Sequence, residues 1–175
     1  MDHSAPHLIL ISGPVGVGKT SVAQELSALL LAREIAHTFV DLDALTHTYP
    51  RPSNDPYGQT LALKNLRAVW RNAQASSPRL LLVARVVESK SSAQKIAEAV
   101  SLNTYLLVQL GARDETLLER VRKREIGSAR EWHETRALQL SRSLSETDFA
   151  DQFIDTDGLS PIEIATELLK TLELE

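Results

Sequence analysis

Short apolar runs alternate with longer stretches of mixed polarity along the whole chain. Leu8-Ile9-Leu10-Ile11 is unbroken apolar sequence and predicts a strand. From Ser21 to Arg33 the apolar residues Val22, Leu26, Leu29 and Leu30 recur at helical spacing, which predicts an amphipathic helix. Thr38-Phe39-Val40 predicts a second, short strand that ends at Asp41-Leu42-Asp43. Three prolines between Tyr49 and Pro56 exclude a helix or a central strand there. Thr60 to Ala75 reads as a helix, with Leu61, Leu63, Leu66, Val69 and Trp70 as its apolar positions. Leu80-Leu81-Leu82-Val83-Ala84 and Thr104 to Leu110 are runs of the kind found in strands buried on both faces. Further helices are predicted over Ser91 to Val100, Asp114 to about Glu125, and Trp132 to Leu144, with Gly127-Ser128 interrupting the last two. Phe153-Ile154 predicts a final strand. Ser160-Pro161-Ile162-Glu163 then spells a capping box with proline at the first helical position.

Five strands separated by helices predict a single α/β domain over residues 1–175, with a parallel sheet and right-handed crossovers covering both faces. Ligands of such sheets bind at the carboxyl ends of the strands. That rule gathers the loop after the first strand, Asp41 and Asp43, the segments after Val83 and Leu110, and Asp155 to Gly158 onto one rim.

The loop after the first strand carries the chemistry. Gly13-Pro14-Val15-Gly16-Val17-Gly18-Lys19-Thr20 is G-x-x-x-x-G-K-T, a phosphate-binding loop between strand and helix. Backbone N–H groups from Gly13 through Ser21, including those of Val15, Gly16, Val17 and Gly18, are expected to wrap nucleotide phosphates. Lys19 would reach the β- and γ-phosphates, and the Thr20 hydroxyl would ligate Mg²⁺. The helix N-terminus favours the same anion. ATP and Mg²⁺ are the expected cofactors.

Composition narrows the partners. The chain is 43% hydrophobic and 24% charged, with a formal net charge of −4. A mildly acidic protein attracts neither nucleic acid nor an anionic membrane surface. The absence of cysteine excludes disulfides, thiolate nucleophiles and Cys-ligated metals. Met1 to His7 lack the apolar core of a signal peptide, so a cytoplasmic location is expected.

The loop establishes nucleotide binding, and other segments bear on the reaction. The guanine-reading N-K-x-D segment of GTPases is missing. The spelling G-P-x-G-x-G-K-T is common in motor and AAA-type ATPases. Those proteins need an acidic pair after the third apolar strand, whereas here the chain continues Arg85-Val86-Val87-Glu88. Asp41-Leu42-Asp43 follows the second strand, Leu117-x-x-Arg120-Val121-x-x-Arg124 precedes the glycine break, and Asp155-Thr156-Asp157-Gly158-Leu159-Ser160 precedes the last helix. With these motifs the chain resembles the nucleoside-monophosphate-kinase-like branch of P-loop proteins, especially the shikimate, gluconate and adenylylsulfate kinases.

The resemblance implies a three-layer α/β/α P-loop NTPase fold with strand order 2-3-1-4-5 and a small lid around residues 125–132. It implies an ATP-dependent phosphotransferase acting on a hydroxyl or phosphate of a small molecule, as monomer or homodimer. The alternative is a P-loop ATPase or nucleotide-binding regulatory module with no acceptor. Asp41 and Asp43, two apart in an extended segment, would face the same way. Asp43 is then the expected catalytic base and Asp41 the residue that holds metal-bound water. Arg120 would pack against adenine or the ATP phosphates, and Arg124, on the same helix face, would stabilise the transferring group. Arg130 is a second lid candidate, and His133 reads as a ligand, a base or a structural residue. The acceptor is expected among Asp43, the proline-rich loop and the helix from Thr60, with Arg51, Asn65, Arg67, Trp70, Arg71, Arg85 and Glu88 offering contacts.

Overall fold

The computed structural model describes residues 7–127 and 130–172. Of the expected lid, Ser128 and Ala129 lie outside the described residues. The strands are β1 (Leu8–Ser12), β2 (His37–Asp41), β3 (Leu80–Ala84), β4 (Tyr105–Gly111) and β5 (Gln152–Asp155). All pair in parallel, in the order β2-β3-β1-β4-β5. The helices are α1 (Lys19–Ala32), α2 (Gln59–Ala73), α3 (Lys90–Ala99), α4 (Asp114–Arg124), α5 (Arg130–Ser145) and α6 (Pro161–Thr171).

The unbroken apolar runs have a simple cause. Successive strand residues point to opposite faces, and both faces are covered. Ile9, Ile11, Leu80, Leu82, Val108 and Leu110 pack with α1, α4 and α6 on one side. Leu8, Leu10, Leu81, Val83 and Leu107 pack with α2 and α3 on the other. β1 lies at the centre, all five of its residues buried, so the loop that follows it emerges at the middle of the rim.

Local chemistry then fixes each element beside that loop. Helix α1 begins at Lys19, two residues before the apolar periodicity starts, because Gly18 caps it in the left-handed region (φ 104°). The Asp55 carboxylate accepts from the N–H groups of Gln59, Thr60 and Leu61, which fastens the proline-rich loop to the start of α2. The expected capping box of α6 is present, with Ser160 and Glu163 bonded reciprocally.

Gly13 shows how tightly the loop is seated. A Cβ there would lie 2.4 Å from the Leu110 carbonyl oxygen and 2.9 Å from Val17 Cγ1, at a φ of 140°. Neither backbone oxygen nor a buried valine can yield cheaply. Gly13→Ala is expected to cost about 2–3 kcal/mol, since overpacking and left-handed strain add. Urea denaturation checks this, and a loss below about 0.5 kcal/mol would contradict it.

Candidate active site

Two hollows open on the rim and share the phosphate loop. The larger, of about 580 Å³, runs from Lys19 and Thr20 past Asp43 to Tyr57, Arg85 and Trp132. The smaller, of about 260 Å³, lies between Val17, Ser21, Arg120, Thr156, Leu159 and Pro161. Gly16, Gly18, Ser21 and Arg124 line both. Val15 lines the larger hollow only.

Lys19 is 9% exposed and donates from Nζ to the carbonyls of Gly13 and Pro14, each at 3.0 Å. Burial lowers its pKa to about 8, the nearby Asp43 and Asp41 opposing the shift and Arg124 adding to it. Phosphate oxygens beside the ammonium would raise that value again. Nucleotide binding at pH 8.5–9 is therefore expected to take up a proton, and at pH 7, where Lys19 is already charged, to take up none. Calorimetry in buffers of different ionisation enthalpy checks this. Equal uptake at both pH values would contradict it.

Thr20 and Asp41 meet directly, Thr20 Oγ1 donating to Asp41 Oδ2 at 2.7 Å. The other oxygen, Oδ1, accepts from the N–H groups of Asp43 and Ala44 at 3.1 and 3.2 Å. Asp41 thus joins the helix start to the turn after β2. The expectation that Asp41 and Asp43 share an extended face is not met. Asp43 has helical dihedrals (φ −67°, ψ −36°) and starts a 3₁₀ turn over Ala44–Thr46. The chain folds back there because the Asp41 carboxylate gathers those two N–H groups. Asp43 still lines the larger hollow, and its side chain is 53% exposed.

Arg120 lines the smaller hollow, but its guanidinium is committed to protein. Nη1 donates to the Val17 carbonyl at 3.2 Å and to Thr156 Oγ1 at 2.9 Å, and Nη2 donates to the Thr156 carbonyl at 3.0 Å. It ties the phosphate loop to the loop after β5. Arg124, one turn further along α4, stands where the hollows join. Its Nε donates to Glu125 Oε1 at 2.8 Å, and it acts electrostatically on Lys19. Arg130 pairs with Glu134 and does not line either hollow.

Of the expected acceptor contacts, Arg51, Arg85 and Glu88 line the larger hollow. Asn65, Arg67, Trp70 and Arg71 do not. Only the first turn of α2 reaches the rim, and each further residue recedes by about 1.5 Å, placing Arg67 about 12 Å beyond Gln59. Asn65 instead donates to the Leu45 carbonyl, Arg67 to that of Ala99, and Trp70 is core. Tyr57, Gln59 and Arg136, which no sequence motif marks, also line the hollow. Arg136 lies on α5 at i+4 from Trp132, a spacing that puts both on one helix face once either is placed in the site. His133 lines it too, its ring edge-on to Trp132 at 4.9 Å.

The P-loop, its helix, the β2 carboxylate and Arg124 of α4 thus line one cleft. The AAA domain family matches residues 9–141, from β1 into α5. The chain belongs to this family. No curated protein matches the sequence. Among solved structures, the chain is similar to a gluconokinase from Sinorhizobium meliloti 1021 (TM-score 0.62, 21% identity, 97% of this chain and 93% of that one). It is similar to a shikimate kinase from Acinetobacter baumannii in complex with shikimate (0.61, 20%, 97% and 96%). It is also similar to the Mycobacterium tuberculosis APS kinase CysC in complex with AMPPNP and APS (0.63, 20%, 97% and 99%). At these identities the likeness establishes the fold, a P-loop NTPase sheet with the predicted strand order. This AAA domain has no acidic pair in the segment after β3, where Glu88 is bound by Arg136 at 2.8 Å.

Proposed function

We propose that the protein is an ATP- and Mg²⁺-dependent phosphotransferase that transfers the γ-phosphoryl group to a small-molecule acceptor. One observation carries this reading: two hollows meet at Gly16, Gly18, Ser21 and Arg124, and the larger extends from Lys19 past Asp43 toward Tyr57, Arg85 and Trp132. A site built only to hydrolyse ATP has no use for that space. The names of the structural neighbours, kinases of gluconate, shikimate and APS, support the same class.

The donor set near Lys19 fits magnesium. Thr20 and Asp41 offer one hydroxyl and one carboxylate, both hard oxygen ligands. Among the described residues no cluster of three or more acidic or histidine side chains could hold a metal alone. Mg²⁺ is commonly held by one or two protein groups together with substrate phosphates and water. When bound it neutralises charge on the phosphates. Thr20 would ligate it and Asp41 would fix a bound water.

Around that centre the chain's own groups position and stabilise. The Gly13–Ser21 N–H groups hold phosphate oxygens, Lys19 and Arg124 place positive charge where the transferring group develops negative charge, and Asp43 accepts the acceptor's proton. Arg120 keeps the phosphate loop against Thr156, so the nucleotide meets a preformed cradle. One chain supplies every residue named, so monomer and homodimer both suit the chemistry. Among the described residues no helix is long and apolar enough to cross a membrane. We infer a cytoplasmic location, where ATP and metabolites are plentiful.

A panel of hydroxylated metabolites, assayed for acceptor-dependent ADP release and phosphorylated product by mass spectrometry, tests the reading. ATP turnover that ignores every acceptor would favour the alternative, an ATPase or regulatory module.

A further inference from the structure

Two buried polar atoms at the acceptor end of the cleft have no hydrogen-bond partner, Nη1 of Arg85 and Nδ1 of His133. The 3.5 Å approach of Arg85 Nη1 to Asp43 Oδ1 is a charge contact, too long for a good N–H···O bond. Buried polar groups are nearly always paired, so two orphans lining one cleft point to a ligand that pairs them. The cleft also presents two large aromatic side chains, Tyr57 from the loop before α2 and Trp132 from the first turn of α5. They are 60% and 57% exposed; Arg136 stands over one face of the Tyr57 ring, 5.7 Å from its centroid, and the remaining apolar surface is what a bound ring would cover.

Charge then limits what the ring carries. Among the described residues at this end, Arg51, Arg85 and Arg136 stand against Asp43 and Glu88, while Arg124 is paired with Glu125. Among these arginines and carboxylates one positive charge is uncompensated. A single negative charge balances it. A phosphomonoester, at about −1.5 to −2, overshoots it.

Resting on the phosphotransfer reading, we propose that the acceptor is a hydroxy compound with a flat ring and one negative charge. Arg85 takes its anion, Trp132 and Tyr57 cover its ring, and its hydroxyl faces Asp43. The hydroxyl oxygen bonds to the γ-phosphorus as the bond from that phosphorus to the β–γ bridging oxygen breaks. ADP leaves with the electron pair, and the hydroxyl proton passes to Asp43. A phosphate acceptor would arrive already deprotonated and have no use for that base.

Benzoate, benzamide and phenyl phosphate share a ring and differ in charge, and serve as probes. Binding to the full chain loaded with AMPPNP and Mg²⁺ is followed by saturation-transfer NMR, AMPPNP binding showing that each variant is folded. Benzoate is expected to bind with a Kd of about 1 mM, as suits a ligand this small, and about tenfold more tightly than either other probe. Arg85→Gln should reduce its advantage over benzamide to about twofold or less, a loss of most of that tenfold. Trp132→Ala should weaken benzoate and benzamide alike. Equal binding of benzamide and benzoate, a preference that survives Arg85→Gln, or a preference for phenyl phosphate overturns the proposal. If the probes behave as expected and no hydroxylated acid consumes ATP, the anion subsite stands and the phosphotransfer reading falls. If the best acceptor is a neutral polyol or a phosphomonoester, phosphotransfer stands and this inference falls.

Discussion

Lys19→Met is expected to lower acceptor phosphorylation by about 10³-fold or more, since a preformed cation at the transferring group is among the largest single contributions in phosphoryl transfer. The same change is expected to leave the fold intact and to stabilise it. Burial brings the folded-state pKa from 10.5 to about 8, so the charged form is penalised in the nucleotide-free protein. The sign follows from proton counting. Below pH 8 both folded and unfolded chains hold the proton and the penalty is present in full. Between pH 8 and 10.5 the unfolded chain binds more protons, and stability rises with pH, by up to about 3 kcal/mol from this group. Methionine keeps the apolar stem and removes both the charge and this slope. Urea melts of the two proteins at pH 7 and pH 10 test it. A variant less stable at pH 7 by more than about 1 kcal/mol would mean that the bonds to the Gly13 and Pro14 carbonyls outweigh desolvation.

Asp43→Asn is expected to reduce kcat with a hydroxyl acceptor by about 10²–10³-fold, within the range general-base removal produces. Nucleotide affinity should change little, because Asp43 lies at the acceptor end of the cleft, beyond the smaller hollow. One side effect tests its proximity to Lys19. Asp43 is the largest influence holding the lysine pKa up, so the variant should show a lower Lys19 pKa. Steady-state rates and an NMR titration of the lysine read the two effects separately. A variant with kcat within tenfold of the parent protein would remove Asp43 from the role of base.

Most of the fold is legible in the sequence. Strands buried on both faces leave long apolar runs, as in Leu80–Ala84 and Tyr105–Gly111, the first preceded by Pro78 and the second closed by Gly111. The expected start of α1 was displaced by two residues because periodicity cannot register a helix start set by a left-handed Gly18. The Asp41–Asp43 geometry departs from the extended expectation for a related reason. A carboxylate that captures the N–H groups two and three residues on turns the chain without any change of composition.

By itself the sequence determined the phosphate cradle and the succession of strands and helices, because both depend on contiguous residues, while the strand order was implied by the resemblance to P-loop kinases. Lys19, Thr20 and the glycines are neighbours in the chain, and no distant contact is needed to place them. The acceptor end was decided by tertiary structure. Tyr57, Arg85, Trp132 and Arg136 come from four separate segments, and their approach depends on how α5 and the proline-rich loop pack over the carboxyl ends of β2 and β3. Nothing in the spacing of these residues encodes that approach. It follows from burial of Leu140 and Leu144 beneath α5 and from the Asp55 cap on α2, contacts that exist only once the chain is folded.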